Sequence, residues 1–303
     1  MRGVKILLLA GGMLLSGISD AQDLLSLLGD TVPQKEFVTN AFKSTRVITG
    51  HSMEMTGKGV LDFRILHRFG RLNEGSYGAW GLDQATIRLG LDYGIGKRLM
   101  TGIGRSTNMK QVDGFLKYRL VWQGKGAGAW PVSIILFSSA VRDGVHFADP
   151  ERMNYESSRW SFANQVIIGR KFSDAFSFQL VPSMVHRNLV ATTEDNHDLY
   201  AVGAGLRLKL TRRIALTGEY YYNFPGQLPE GRTNPLSLGF DIETGGHVFQ
   251  LHFTNSLGMN EPTYLTATDG SWADGDVHFG FNISRVFTLS KPKSFKNTPP
   301  SEG

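Results

Sequence analysis

Histidine and serine side chains are the first candidates for chemistry, because the chain contains no cysteine. His252 and Ser256 suggest the serine–histidine pair of a hydrolase, but four residues of extended chain separate them by about 13 Å, too far for direct proton transfer. His51, Glu54 and His278 would form a metal site only if distant segments met. The sequence has no G-x-S-x-G, H-E-x-x-H or P-loop motif. We therefore predict no catalytic residues, no cofactor and no metal.

Charged side chains at every second position are better candidates for function. Arg64 and Arg68 share one face of a segment, as do Arg88 and Asp92. Alternate side chains of a strand point to opposite faces, so these charges would line a common polar surface. Inside a pore, such a surface sorts ions and small polar solutes. In a small barrel, the same charges can instead pair with one another and close the interior. The predicted lining residues are Arg64, Arg68, Arg88, Asp92, Lys117, Arg119, Arg207 and Lys209.

Apolar and polar residues alternate along most of the chain. Leu89 and Leu91, for example, alternate with Arg88 and Asp92. Such alternation over about ten residues is typical of a strand with one apolar and one polar face. The fold that suits a chain made of such strands is an all-β, antiparallel, up-and-down transmembrane barrel, with lipid outside and water within. Twelve strands are predicted, approximately at 59–69, 86–95, 99–105, 113–122, 132–141, 160–170, 176–187, 199–210, 214–223, 236–243, 247–254 and 277–289.

The links between these segments support a barrel over its alternative, two soluble β domains. Short and long links alternate, as expected when one rim faces the periplasm and the other faces outward. Two links fit less well, since 106–112 is short for an outer loop and 124–131 is long for a periplasmic turn. An even number of strands would leave both termini on the periplasmic side.

Residues 1–21 have the features of a cleaved signal peptide. Arg2 and Lys5 precede an apolar stretch, and Ser19-Asp20-Ala21 resembles a cleavage site with small residues. An exported barrel belongs in the outer membrane of a Gram-negative bacterium, where it contacts lipid and rarely meets nucleic acid. The positive charges form no run that would indicate a nucleic-acid partner.

The tryptophans fall at predicted strand ends or in loops. Amphipathic rings settle at the boundary between lipid and water, so we predict an aromatic girdle. Its members are Trp80, Trp122, Trp130, Trp160 and Trp272.

The two ends of the chain depart from the barrel pattern. Residues 22–57 could form a periplasmic segment, a plug inside the lumen, or an extra strand. The barrel is predicted over 58–289. Residues 290–303, with three prolines and three lysines, are predicted to be disordered.

Several short motifs resemble a known family of β-barrels. This family is a group from Bacteroidota catalogued only as a domain of unknown function. The resemblance covers roughly residues 30–289 and implies an outer-membrane location, with no known activity and no assigned functional residues. The motifs are Phe42-Lys43-Ser44-Thr45-Arg46, Gly50-His51-Ser52-Met53-Glu54, Gly81-Leu82-Asp83-Gln84-Ala85-Thr86-Ile87-Arg88, Asp113-Gly114-Phe115-Leu116-Lys117-Tyr118 and Gly246-His247-Val248-Phe249-Gln250-Leu251.

The sequence thus predicts a non-enzymatic, porin-like pore for small polar solutes, with a basic lumen that would favour anions. The first alternative is a closed barrel that serves as a scaffold or subunit of an envelope complex, with loops 142–159 and 255–276 carrying the contacts. A hydrolase embedded in the barrel, using His252 and Ser256, is a further alternative.

Overall fold

The structure, a computed structural model, describes residues 35–290 except 148, 152, 245 and 246. The predicted signal peptide, the first part of the predicted 22–57 segment and the predicted tail after residue 290 lie outside the described residues. The described part of the chain contains no helix with the length and hydropathy needed to cross a bilayer.

Twelve antiparallel strands form one closed barrel in which each strand pairs with its neighbours in the chain, and the last pairs with the first. The prediction of a barrel of about twelve strands is confirmed, and each predicted strand end lies within two residues of the observed one. The strands are β1 (Val60–Arg71), β2 (Ala85–Gly94), β3 (Leu99–Ser106), β4 (Val112–Val121), β5 (Ser133–Arg142), β6 (Trp160–Lys171), β7 (Phe176–Arg187), β8 (Asp198–Lys209), β9 (Ile214–Asn223), β10 (Leu236–Thr244), β11 (His247–Thr254) and β12 (His278–Thr288).

The alternation of the sequence reappears as an alternation of burial. On β2, Arg88 and Asp92 are fully buried, whereas Leu89 and Leu91 are exposed. Because buried side chains point inward, the polar face of each strand lines the interior and the apolar face forms the outer surface. The interior is filled by these polar side chains together with segments of the chain that lie outside the strands.

The two rims differ in the length of their links. The short-turn rim carries the links 95–98, 122–132, 172–175 and 210–213. The long-loop rim carries 72–84, 107–111, 143–159, 188–197, 224–235 and 255–277.

Two segments enter the lumen, one from each rim. Residues 40–57, here named the inserted hairpin, enter from the short-turn rim, and residues 41–53 are almost entirely buried. Residues 255–268 fold inward from the long-loop rim and include one helix, α1 (Glu261–Thr266). The expectation that 255–276 forms an outer contact loop is therefore wrong for its first half, because its side chains are buried against the barrel wall.

The two links that fitted the predicted alternation poorly both contact chain outside the strands. In the long 122–132 link, Gly124 and Lys125 pair with Phe37 and Glu36 in a small two-stranded sheet. In the short 107–111 link, Gln111 accepts a hydrogen bond of 2.7 Å from the Asn260 side chain, just before α1. The 122–132 link thus contacts the chain just before the inserted hairpin, and the 107–111 link contacts the inward loop.

Candidate functional site

The inserted hairpin turns back on itself inside the barrel. The backbone of Arg46 forms an antiparallel bridge with that of His51, and the amide of Val47 donates to the carbonyl of Gly50 at 2.8 Å. A β-carbon at position 50 would collide with the hydroxyl of Tyr221 on β9. Glycine therefore allows the tip, residues 47–50, to approach the wall closely.

One carboxylate holds this tip. Glu219 on β9 faces inward and accepts hydrogen bonds from the backbone amides of Ile48 (3.3 Å), Thr49 (2.7 Å) and Gly50 (3.0 Å). Hydrogen bonds to an ionised carboxylate are stronger than bonds between neutral groups. Glu219 therefore fixes the position of the tip.

Amide side chains of the wall take the place of a neighbouring strand along the hairpin. Gln179 on β7 accepts from the amide of Met53 at 2.9 Å and donates to the carbonyl of His51 at 2.8 Å. Gln250 on β11 donates to the carbonyl of Val47 at 2.8 Å. Buried backbone groups need such partners, so the wall is built to accommodate this segment.

Two cations on β4 bind hairpin carbonyls. The Lys117 ammonium donates to the carbonyls of Ser52 (2.7 Å) and Glu54 (2.5 Å), and Arg119 donates to that of Met53 (3.1 Å). Within the described ranges, no carboxylate lies within ion-pair distance of either cation. Their charges are therefore met by the hairpin backbone instead of by a counter-ion.

The structure places the predicted lining residues at the interior face of the wall. The outlier is Lys209, which the sequence also predicted for the lumen. It is exposed at the short-turn rim, because it is the last residue of β8. Six predicted residues are each at most 5% exposed: Arg64, Arg68, Arg88, Asp92, Arg119 and Arg207.

Carboxylates offset most of the buried positive charge. In the described part of the chain, seven cations and six carboxylates are buried. Counted by formal charge, these buried groups carry a surplus of only one positive charge while the hairpin is in place. The wall pairs are Arg64 with Asp62 (2.8 Å) and Asp92 (3.3 Å), Arg88 with Asp113, and Arg207 with Asp241 (3.9 Å).

The hairpin meets α1 in the middle of the lumen. Glu261, in the first turn of α1, lies 3.5 Å from the guanidinium of Arg46 and 3.8 Å from the imidazole of His51. Burial raises the pKa of the Glu261 carboxyl. Burial, reinforced by the positive charges of Arg46 and Lys117, holds the pKa of His51 well below its ordinary value. His51 is therefore neutral in this closed arrangement.

Arg68 on β1 joins the wall to both lumen segments. Its guanidinium donates to the carbonyls of Ser256 (2.8 Å) and Gly258 in the inward loop, and to the hydroxyl of Thr49 in the hairpin. An apolar cluster lies toward the opposite side, with Phe42 and Met53 of the hairpin packed among wall residues of β4 to β9. Together these contacts fill the middle of the lumen.

The catalytic and metal candidates do not assemble in the described structure. His252 and Ser256 are both buried in the lumen, but the imidazole and the hydroxyl have no hydrogen-bond partner among the described residues, so they do not form a pair. Glu54 accepts from the amide of Ala41 at 2.6 Å and does not contact His51 through a hydrogen bond. The same ranges contain no cluster of three side chains that could hold a metal ion.

Sequence reasoning missed the polar residues that contact the hairpin. Glu219, Gln179 and Gln250 occupy inward positions of their strands, so the alternation placed them in the lumen without indicating a partner. Asn282 on β12 likewise donates to the carbonyl of Ile48 at 2.8 Å. An excess of uncharged polar groups at inward positions was the signal available in the sequence.

Comparison with known families settles the class of the chain. Residues 42–287 match the family described as "Membrane bound beta barrel domain (DUF5777)". The chain belongs to this family. It is therefore a membrane-bound β-barrel, as the resemblance predicted, and its origin in Bacteroidota stays a prediction.

Several solved β-barrel proteins match this membrane-bound barrel at low similarity. A NanC porin matches with 9% identity over 75% of this chain and 98% of its own, at a TM-score of 0.45. OmpF of Salmonella typhi, in complex with daunomycin, has 7% identity over 75% of this chain and 97% of its own, at 0.38. The CymD monoaromatic hydrocarbon channel has 11% identity over 76% of this chain and 88% of its own, at a TM-score of 0.31. No curated protein matches the sequence.

All five tryptophans of this membrane barrel lie at its rims, Trp122 and Trp130 at the short-turn rim and the other three at the long-loop rim. The ring of Trp122 stacks on Phe37 at 4.8 Å and its indole donates to the carbonyl of Val38 at 2.8 Å. Trp122 thus also fastens the chain just before the inserted hairpin. The girdle itself stays a prediction.

Proposed function

We propose that this barrel is a channel for small polar solutes that the inserted hairpin holds closed. The observation that carries the proposal is the binding of the hairpin backbone by wall side chains, led by Glu219, Gln179 and Lys117. A scaffold barrel needs no removable filling, because side chains alone can fill a small barrel. A gated channel needs a closed state that is specific and reversible.

The way the hairpin is attached would allow it to withdraw from the lumen, which would open the channel. Both of its ends lie at the short-turn rim, where the amide of Val38 donates to Gln123 at 2.9 Å and that of Gly59 donates to Gly94 at 2.8 Å. The segment between these anchors leaves the lumen without threading past any other element. Its backbone contacts with the wall are hydrogen bonds, which water can replace, whereas withdrawal would also expose the buried side chains of Phe42 and Met53.

Withdrawal would change the charge of the lumen. Lys117 and Arg119 lose the carbonyls that bind them in the closed state, whereas Arg64, Arg88 and Arg207 keep their carboxylate partners. Arg46 leaves with the hairpin, so the buried groups that remain number six cations and six carboxylates. The anion preference of this proposal therefore rests on the local field of Lys117 and Arg119, which lie unpaired together on β4. The solutes of this proposal are therefore small, polar and preferentially anionic.

We also propose a subcellular location for the barrel. Residues 1–21 act as a cleaved signal peptide, and the protein resides in the outer membrane of a Gram-negative bacterium with its short-turn rim toward the periplasm. Lipid covers the apolar outer face. Cell fractionation tests this location, and N-terminal sequencing of the mature protein tests cleavage of the signal peptide.

Planar-bilayer conductance tests the channel. The intact mature chain is compared with a variant in which a short Gly/Ser linker replaces residues 40–56, both shown to be folded by circular dichroism. We expect rare openings of the intact chain and a persistently conducting variant. Silence from both folded proteins contradicts the channel.

The inward-folded loop at 255–268 favours a second candidate, a permanently closed barrel that serves as a scaffold or subunit of an envelope complex. Loop 143–159 remains at the surface for such contacts. A stoichiometric partner that co-purifies with the intact chain and is lost when 143–159 is trimmed, together with silence in the bilayer, would support it.

A further inference from the structure

The two rims of the barrel carry opposite charge. The links of the long-loop rim contain thirteen Asp and Glu residues against four Lys and Arg. The described links of the short-turn rim contain one Asp against five Lys and Arg. Further exposed cations lie near the strand ends beside these short links. We name six exposed cations of the short-turn rim the rim cations: Lys97, Lys125, Arg170, Lys209, Arg213 and Arg285.

Carboxylates neutralise cations at the long-loop rim but leave the rim cations unpaired. At the long-loop rim, Arg142 and Arg159 both pair with Glu156, at 2.5 and 3.4 Å. In the described part of the chain, none of the rim cations lies within ion-pair distance of a carboxylate. Asp174, the acidic residue of the short links, is already paired with Lys171 at 2.9 Å. The short-turn rim therefore presents an unbalanced positive charge to its surroundings.

Two rim cations face outward beside aromatic rings. The guanidinium of Arg170 on β6 lies 5.1 Å from the ring centroid of Phe172, and that of Arg285 on β12 lies 5.1 Å from that of Phe287. All four side chains are exposed. In membrane proteins, aromatic rings settle at the boundary between lipid and water, and long cationic side chains reach from apolar surface toward the headgroups. These two cations therefore lie at the level of the lipid headgroups.

The rim cations are distributed around the barrel. In the order of the strands, they occur after β2, after β4, on β6, at and after the end of β8, and on β12, which pairs with β1. A solute site needs cations that converge on one point, and a protein partner contacts one part of a surface. Lipid is the partner that surrounds the barrel on every side.

We propose that the rim cations bind the phosphate groups of anionic phospholipids in the leaflet at the short-turn rim. Lysine and arginine form charge-assisted hydrogen bonds with phosphate, and cations near a membrane surface attract anionic lipids. The acidic long-loop rim repels the same headgroups in the opposite leaflet. The binding needs only the outer surface of the barrel, so its failure and the failure of the channel are separate results.

Electron spin resonance of spin-labelled lipids tests the proposal, because it separates lipids in contact with the barrel from bulk lipids. The full mature chain is reconstituted in phosphatidylcholine bilayers that contain spin-labelled phosphatidylglycerol or, as the uncharged comparison, spin-labelled phosphatidylcholine. We expect phosphatidylglycerol to associate with the barrel about three- to fivefold more strongly, and less so at high ionic strength. Equal association of the two lipids overturns the proposal.

Free phosphate distinguishes a lipid site from a site for any phosphate. The measurement is repeated with inorganic phosphate in place of chloride at constant ionic strength. We expect the preference for phosphatidylglycerol to stay the same, because the lipid is held at the rim by the bilayer as well as by its charge. Loss of the preference in phosphate overturns the assignment to lipid.

A pair of variants locates the preference at one rim. Arg170→Gln with Arg285→Gln removes two outward cations of the short-turn rim and keeps polar side chains of similar length. We expect the preference for phosphatidylglycerol to fall about twofold. The matched control is Arg105→Gln with Arg142→Gln, which removes two outward cations near the opposite ends of β3 and β5 and should leave the preference unchanged. An equal loss in both folded variants, or no loss in the first, contradicts the proposal.

Discussion

The carboxylate of Glu219 on β9 accepts a hydrogen bond of 2.7 Å from the backbone amide of Thr49, at the tip of the inserted hairpin. The two residues are separated by 170 positions in the sequence. Because the amides of Ile48 and Gly50 bind the same carboxylate, one wall residue determines where the hairpin ends. The closed state therefore depends on a small number of identifiable contacts.

Glu219→Gln should loosen the hairpin. The neutral amide keeps one acceptor and loses the charge, which weakens hydrogen bonds worth about 1.5–3 kcal/mol. We expect the open fraction in planar bilayers to rise about 10- to 100-fold. The control is Glu243→Gln, which removes a half-exposed carboxylate paired with Lys43 at the rim and should change the open fraction by less than about fivefold. Equal effects of the two variants would mean that Glu219 has no special role in closure.

Gln179→Leu should expose the hairpin backbone to exchange. The substitution leaves the amide of Met53 and the carbonyl of His51 buried without partners, at a cost of about 1–3 kcal/mol for each group. We expect faster amide hydrogen exchange across residues 46–54, measured by mass spectrometry. Gln165→Leu is the control, because Gln165 bonds the Ser183 hydroxyl on the neighbouring strand and not the hairpin. Unaltered exchange at 46–54 in Gln179→Leu would contradict the pairing.

Acidification should favour the open state through His51. Its pKa in the closed lumen is well below the value of about 6.5 that it regains in water. Its contribution to closure is therefore fully present above pH ~6.5 and is lost as pH falls toward the closed-state pKa. We expect the open fraction to rise by at most about tenfold per pH unit below pH ~6.5.

His51→Phe isolates this effect. The phenyl ring of this variant would keep the contacts that His51 makes with Phe115 and Phe137, at 4.6 and 4.4 Å between ring centroids, but cannot take a proton. Glu261, whose pKa is raised by burial, opposes opening at low pH in both proteins and cancels in the comparison. A pH dependence that is as steep in the variant as in the unmodified chain would exclude His51 as its source.

The open lumen should lose its anion preference when the β4 cations are reversed. In the variant with a linker in place of 40–56, Lys117→Glu with Arg119→Glu should shift the reversal potential toward cations in a salt gradient. Lys209→Glu is the control, because Lys209 is exposed at the short-turn rim and does not face the lumen. If the control shifts the potential as much as the double variant, the selectivity does not come from the lumen.

The strands were predictable because their signal is local. Alternation at every second residue, as in the segment of β2, predicts both a strand and the face of that strand that points inward. Once the barrel was inferred, the positions of Arg64, Arg88 and Arg207 inside it followed from register alone. The partners of these residues did not follow, since Arg88 meets Asp113 across two strand pairings.

The filling of the lumen was not predictable by the same reasoning. The inserted hairpin shows no alternation of polar and apolar residues, because it is not a strand of the wall. Side chains of the wall bind its backbone instead, such as that of Asn282, which is 234 residues away from Ile48. In the inward loop, Asn260 and Pro262 are residues typical of a helix N-terminus. They predict that a helix begins there, but not that the helix lies inside the lumen. Segments whose partners are all distant in sequence leave little local pattern.

A reversible crosslink between the hairpin and the wall tests the central claim most directly. A β-carbon at position 169 on β6 would lie 3.2 Å from that of Met53, close to the 3.5–4.5 Å typical of disulfides. Since the chain has no cysteine, Met53→Cys with Gly169→Cys creates a single pair. We expect no openings from the oxidised protein in a planar bilayer, and stepwise openings after reduction. Equal conductance before and after reduction, or silence in both states, would contradict a channel closed by the inserted hairpin.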